Sequence, residues 1–384
     1  MMDNYLLLGH RLLKEGRRRG DRTGTGTRSV RSANLVFDMQ KGFPLVTTKK
    51  VNLEYVFHEL KWILLGLSDV QFLEERGCGF IWRDWSLSEP VIEEVLYANW
   101  QRLELLQKEF PDAYAIWKAE GWDKKPLAEG HGFMTAQGVP THWQRVKIPA
   151  GETNAPYGPR WRNWKGRDGK TYDQIAYVLD LLRTNPESRR ILISTWDPAD
   201  MPDESISPQA NIQQGKPCLT PCHHLVEFYT DLMTVEERVS WLAERNPLLW
   251  DKWVNNDEVD AEGALLAFLD KHSVPERYLD LKFTMRSSDV AIGLPYNIAS
   301  YGMLLMMFAT TLNMVPRELE YSGTNVHLYE NHIAGFTQQF SRAPRTLPQL
   351  EVVNKRERLE DYEWEDFCLT GYQPHPFIKY DVSV

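Results

Sequence analysis

Residues 298–312 limit the fold more than any other stretch of this chain. They are strongly apolar along their length, so a helix built from them must be enclosed by other elements. No apolar run approaches bilayer length; the longest, around Met303 to Ala309, is interrupted too soon. The enclosing elements can be read on both sides. Ile191-Leu192-Ile193-Ser194-Thr195-Trp196, Leu225-Val226-Glu227-Phe228-Tyr229 and residues 278–285 are strand-like, while residues 53–65 and 173–183 carry helical spacing. Residues 5–19 read as an amphipathic helix stopped by Gly20, and residues 21–27 as a glycine-punctuated loop. Two further strand-like stretches flank a turn at Lys41-Gly42. A mixed α and β protein built around one sheet follows.

Three stretches break this pattern, at about 88–152, 203–217 and 231–278. The first is rich in Glu, Lys, Trp and Ala, then in Gly, Pro and His, as in Glu129-Gly130-His131-Gly132, and reads as a helical excursion with a loose end. The third is acidic and helix-prone, as in Val235-Glu236-Glu237-Arg238. Long structureless loops are uncommon inside compact domains, so these inserts are expected to carry helices of their own. A net charge of −9 argues against nucleic-acid binding by counterion release, but leaves room for a local basic pocket. The four cysteines, at 78, 218, 222 and 368, show no secreted-type pairing, and the start of the chain lacks a basic region followed by an apolar one. The expected setting is reducing, cytoplasmic and free of membrane. Most of the fourteen tryptophans are expected in the core, and those in short polar contexts suit walls around a planar ligand.

The chemistry centres on Pro221-Cys222-His223-His224. A thiolate is the best ordinary nucleophile, and its reactivity depends on a nearby positive charge or proton acceptor. Arg22 lies in the glycine loop, Arg189 and Arg190 follow Ser188, and Arg286 precedes Ser287. Each alone reads as a surface arginine or ion-pair partner; together, around one thiol, they describe a monophosphate cradle. Asn297 offers the donor and acceptor that fit the O4/N3 edge of uracil, although the sequence slightly favours it as the N-cap of the 298–312 helix. His327 and Tyr329 share a strand face and suit a ribose hydroxyl or a core pair. Glu59 sits among Phe57, Leu60 and Trp62, where a carboxyl would be raised in pKa and could relay protons; a solvated helix-edge Glu is the commoner case. A zinc site at Cys218, Cys222 and His223-His224 ranks low, because the other cysteines have no close partner and Pro221 restrains the turn.

These motifs, in order, resemble the thymidylate synthase family. They are Asp21 to Thr27, Gly42-Phe43-Pro44-Leu45-Val46-Thr47-Thr48-Lys49-Lys50, Ser188-Arg189-Arg190, Pro221-Cys222-His223, Arg286-Ser287-x-Asp289, Gly293-Leu294-Pro295-Tyr296-Asn297-Ile298-Ala299-Ser300-Tyr301 and His327-x-Tyr329. The tail from Gly371 onward also looks like that family's closing C-terminus. The resemblance implies an α+β fold with one large mixed sheet, a single catalytic domain over 1–384 carrying the three inserts, and folate-dependent one-carbon transfer to C5 of dUMP. It implies Cys222 as the C6 nucleophile, with Glu59, Tyr157 and His223 organising protons and water. Arg22, Arg286 and Ser287 would hold the phosphate, joined by Arg189 and Arg190 from the other subunit of a homodimer. Asn297 would read the base, and His327 and Tyr329 the ribose. Ile81, Trp82, Trp85, Leu219, Asp289, Gly293 and Tyr296 would line the side for 5,10-methylenetetrahydrofolate. No metal is implied.

Asn297 favours dUMP over dCMP, since relatives that use cytosine carry Asp there and N4 of cytosine is a donor. Other positions depart from the synthase pattern. Met285 replaces Gln, the Asp of Gly-Asp-x-His-x-Tyr is lost at Gly323 to Tyr329, and Ala291, Tyr296 and Asn52 replace an aromatic, Phe and His. Met285-Arg286-Ser287 and the lost Asp look more like the phage pyrimidine hydroxymethylase branch, in which water captures the C5 methylene; the Tyr296 hydroxyl and the lost bulk at Ala291 would admit an ordered water. The expected activity is a dUMP 5-hydroxymethylase in the cytoplasm of a phage host. Ordinary thymidylate synthase is its close rival and dCMP hydroxymethylase the third reading. Trp82, the shield expected over the intermediate, is present.

Overall fold

The computed structural model describes residues 2–21, 24–96, 142–255 and 263–382, together with 108, 111 and 115. Its centre is a seven-stranded sheet. The strands are β1 (Arg17–Arg19), β2 (Thr27–Asp38), β3 (Leu192–Ser194), β4 (His223–Leu232), β5 (Arg277–Met285), β6 (Ser288–Asp289) and β7 (Val315–Tyr329). They lie in the order β1-β2-β7-β5-β4-β3, with β6 beside β7. The β5–β7 and β6–β7 pairs are parallel and the others antiparallel, so the sheet is mixed and the fold α+β, as expected.

The named helices are α1 (Asp3–Glu15), α2 (Leu53–Leu64), α3 (Gly158–Arg162), α4 (Gln174–Thr184), α5 (Val235–Arg245), α6 (Pro247–Val254), α7 (Ala264–Lys271), α8 (Gly293–Leu312) and α9 (Ile333–Phe340). Parallel neighbours need a crossover, and α8 supplies it between β5 and β7. The apolar run is therefore explained by topology. Ile298, Met303, Leu304, Leu305, Phe308 and Ala309 are wholly buried, with α8 packed against β5, β7 and α2. No helix among the described residues is long and apolar enough to cross a membrane.

Several sequence expectations shift. The first helix stops at Glu15, because Gly16 turns extended, and a Cβ there would lie 2.3 Å from the Leu12 carbonyl oxygen. The next three arginines form β1 instead of continuing the helix. After Gly42, at φ +128°, the chain forms no strand: Pro44 has no N–H for a ladder, and Phe43 instead donates its N–H to the Pro348 carbonyl. The described ends of the first insert are not helical. Val91–Leu96 and His142–Ile148 pair antiparallel, as their β-branched residues favour, while residues 97–107 and 116–141 lie outside the described residues. The second insert carries one short helix, Pro208–Gln213, capped by Ser207. The third carries α5, α6 and α7 around a small core of Leu242, Leu269 and Val274.

Candidate active site

The His223 ring beside the thiol is aimed by a fault in β4. His223 pairs with Met285 and Leu225 with Thr284, so one extra residue is accommodated between them. Phe228 faces the α8 side, where its ring meets Phe308 at 4.6 Å, and simple alternation would put His223 on the opposite face with Tyr229. The bulge reverses that, as bulges do when they re-aim a side chain. His223 therefore reaches Tyr301 of α8, with Nδ1 and Oη 2.6 Å apart, and stacks on Tyr157 at 3.8 Å between centroids. Burial pushes the His223 imidazole down to about 3, so the ring is neutral across ordinary pH.

Cys222 stands beside this stack at the base of a cleft of about 550 Å³. Its backbone N–H donates to the Tyr157 hydroxyl at 3.0 Å. Arg286 wraps the same turn: Nε donates to the Pro221 carbonyl and Nη2 to the Thr220 carbonyl, both at 2.8 Å, while its backbone N–H donates to the Cys222 carbonyl. Nη2 lies 3.9 Å from Sγ. Burial holds the thiol above the usual cysteine value, and the guanidinium opposes that rise. Burial, then the Cys222 charge, keeps Tyr157 well above its ordinary value and so a phenol.

Ser287, Asp289, His327, Tyr329, Trp85 and Leu219 line the cleft with Cys222 and Arg286. His327 donates from Nδ1 to the Asn325 carbonyl at 2.9 Å, and its ring meets that of Tyr329 edge-on at 5.2 Å, placing both on one face of β7. Asp289 accepts from the Ala291 N–H at 2.9 Å. Deeper in the wall, Glu59 accepts from Trp82 Nε1 at 2.8 Å, and Trp82 packs between Trp62 and Tyr157 at 5.3 and 6.0 Å. Burial raises the Glu59 carboxyl above its usual range, against the pull of that N–H. Ile81 and Tyr296 pack on the same core.

Asn297 is not the helix cap. The helix starts at Gly293 with Ile292 at the N-cap, leaving Asn297 inside it with no side-chain hydrogen bond among the described residues. Capping would need extended backbone at 297, and the Gly-Leu-Pro turn begins the helix too early for that. Gly293 leaves open the space beside Asn297 Oδ1, since a Cβ there would stand 3.7 Å from it. Arg22 lies outside the described residues. Arg189 and Arg190 are exposed and do not line the cleft. Arg189 borders a hollow of about 740 Å³ on the sheet's other face, beside the exposed Tyr229 and Leu232.

Sequence reading missed three groups. Tyr301 lies one helical turn beyond Asn297, and that spacing was the available signal. Lys49, 3% exposed, donates from Nζ to the Ala291 carbonyl, and nothing in its Thr-Thr-Lys-Lys context signals burial. Asp203, Glu204 and Ile206 of the second insert line the cleft mouth, which only the folded chain could show.

The family model described as thymidylate synthase matches residues 3–384. The chain belongs to the thymidylate synthase family. A thymidylate synthase of Francisella philomiragia subsp. philomiragia is 31% identical over 383 residues, covering all of both chains. One from Francisella tularensis subsp. holarctica is likewise 31% identical over 383 residues, with full coverage of both. The protein is thus a one-carbon transferase, of a family whose reaction is folate-dependent transfer to C5 of dUMP. Its departures from the synthase pattern have definite places in the fold. Asn52 caps α2, accepting from the Glu54 N–H at 3.1 Å. Met285 is buried, and Ser288 Oγ donates to its Sδ at 3.5 Å. Asn325 takes φ +48°, a left-handed conformation that Asn tolerates. Ala291 is fully buried, and the Glu59 charge, after burial, raises the Tyr296 phenol.

Proposed function

We propose that this enzyme adds a one-carbon unit to C5 of dUMP and closes the reaction with water, giving 5-hydroxymethyl-dUMP and tetrahydrofolate. The observation that carries the reading is Tyr296, a hydroxyl within the electrostatic reach of Glu59, where synthases of the family place Phe. A phenol and a raised carboxyl together can hold a water that a phenyl ring cannot. Trp82, held in the wall by Glu59, supports the rival reading as thymidylate synthase, since it can keep water away from the same carbon.

In this reading the whole chain is one catalytic unit with three inserts. Cys222 attacks C6, which makes C5 nucleophilic. Arg286 spends two donors on the thiol's own turn, leaving Nη1 for the phosphate beside Ser287 and Arg22. Asn297 pairs with O4 and N3, and its unused amide fits that task. His327 and Tyr329 take the ribose hydroxyl. Neutral His223, Tyr157 and Glu59 order water and move protons at the base. Asp289, an acceptor in a cleft walled by Trp85 and Leu219, suits the donor edge of a pterin, and Ile81, Trp82, Gly293 and Tyr296 would complete that side. Bound 5,10-methylenetetrahydrofolate supplies the carbon at the oxidation level of formaldehyde. The apolar Tyr229 and Leu232, with Arg189 beside them, support a homodimer in which Arg189 and Arg190 complete the partner's phosphate site. The cytoplasm is the matching location.

The deciding assay incubates dUMP with methylenetetrahydrofolate, following dihydrofolate absorbance and product mass. We expect 5-hydroxymethyl-dUMP without dihydrofolate; stoichiometric dihydrofolate with a methylated product would overturn water capture and leave the synthase. Turnover of dCMP but not dUMP would overturn Asn297 as the reader of uracil.

A further inference from the structure

Asp289 has a neighbour that no step above uses. His332, its side chain 1% exposed, stands behind the carboxylate with Nδ1 3.8 Å from Asp289 Oδ1. Its Nε2 lies 2.7 Å from the backbone carbonyl oxygen of Asp381, in the C-terminal tail. A carbonyl only accepts, so Nε2 carries a hydrogen. A neutral ring would then turn a lone pair toward the carboxylate, whereas an imidazolium turns an N–H toward it. Buried Nδ1 makes no hydrogen bond at this separation. The tail is held at the same place from a second direction. Lys49 Nζ lies 4.9 Å over the Tyr380 ring and also donates to the Ala291 carbonyl, two residues beyond Asp289. The Tyr380 hydroxyl donates to Gln339 Oε1 at 2.9 Å.

We propose that His332 is a positioning residue whose protonated ring latches residues 380–381 of the tail to the Asp289 loop, coupling tail docking to folate binding. The link to folate rests on the reading of Asp289 given above; the latch itself does not. The groups facing His332 are Asp289 from β6, the Tyr329 ring from the end of β7, the Tyr380 ring and Asp381 carbonyl from the tail, and Lys49, which burial lowers to about 8 against the pull of Asp289. His327 is a further titratable group that acts on Asp289. Burial pushes His332 down, but Asp289 outweighs it and leaves the imidazole above its ordinary value. Burial likewise pushes Asp289 up, and His332, His327 and the Ala291 N–H together bring it below its ordinary value. Because the His332 value is raised in the folded protein, the latch is complete below about pH 6.5 and is lost as pH climbs through the raised value.

Hydrogen exchange of the tail amides in the ligand-free protein, corrected for intrinsic rates, tests the latch between about pH 6 and 9. Burial lowers Lys49 to about 8, inside the same window, so the comparison is made in a Lys49→Met background. There the tail should lose protection as pH rises, and adding His332→Gln should bring exchange to the high-pH rate throughout. With substrates, His332→Gln alone should raise the folate KM about tenfold and shift kcat less, with dUMP affinity unchanged. Gly335→Val supplies a steric control, since a Cβ at Gly335 would stand 2.8 Å from Tyr380 Cε1 and displace the tail without touching His332. It should raise the folate KM at every pH. Tail protection independent of pH in the Lys49→Met background, or protection unchanged there on adding His332→Gln, would overturn the proposal. If His332→Gln does not fold, Asp289→Asn in the Lys49→Met background removes the anion and must abolish the pH dependence of tail exchange; retained dependence there would overturn it too. The exchange arm needs no turnover, so the latch and the proposed reaction fail separately.

Discussion

Arg286 and Arg238 make similar local bonds and serve different ends. Each ties down backbone carbonyls from another part of the chain: Arg286 those of Thr220 and Pro221, Arg238 that of Val274 at 2.9 Å. Arg238 is 5% exposed, and its other contact is an ion pair with Asp270 at 2.7 Å, inside the small core of the third insert. Arg286 opens onto the cleft, 3.9 Å from a thiol, with one terminal nitrogen uncommitted among the described residues. Burial and bonding alone do not mark a functional arginine. What marks it is the part of the fork left over and the group it faces.

The sharpest break in that comparison is Cys222→Ala. Removing a nucleophile from a set that acts together should cut turnover by roughly 10⁴-fold or more, and should abolish the nucleotide–protein adduct seen by mass spectrometry. An adduct that persists would detach Arg286 from any catalytic role and reduce it to another Arg238.

Arg286→Met comes next. It removes the charge that opposes the rise of the thiol, along with the donors that shape the turn. We expect kcat/KM for dUMP to fall by about 100-fold, or ~2.7 kcal/mol at 1.36 kcal/mol per tenfold. Its pH dependence should also move. With the guanidinium gone the thiol value rises further, so the ascending limb of the rate profile shifts to higher pH. An unshifted limb would show that the guanidinium does not act on the thiol.

The third insert was legible for the reason that makes it quiet. Thr234 and Glu237 form a capping box, Asn246 caps a helix with Pro247 in its first turn, and these signals lie within a few residues of what they control. The site was legible as a set of motifs, but its geometry was not. The β4 bulge that turns His223 toward Tyr301 depends on pairing with a strand about sixty residues away, and His332 meets Asp289 only after β6 docks beside β7. The burial of Lys49 depends on the Asp289 loop and the C-terminal tail closing over it. Period and propensity describe a chain against itself, and they carry no term for such meetings. At the ends of the first insert the β-branched residues form a strand pair that its helix-prone composition did not signal.

Arg238→Ala is the smallest effect and the cleanest contrast. The Val274 carbonyl would lose its donor and Asp270 its partner, the latter in part exposed to solvent and worth little by itself. Leaving a buried acceptor unmet should cost about 1–3 kcal/mol, read as a lower melting temperature. The insert's small core is separate from the core beneath the cleft, and none of its helices lines that cleft. Turnover and both KM values should therefore stay within about twofold of native, the range expected for distant, uncoupled sites. A drop in kcat/KM like that of Arg286→Met, at a temperature where the variant is still folded, would mean the insert is coupled to the site. The two arginines would then differ in degree and no longer in kind.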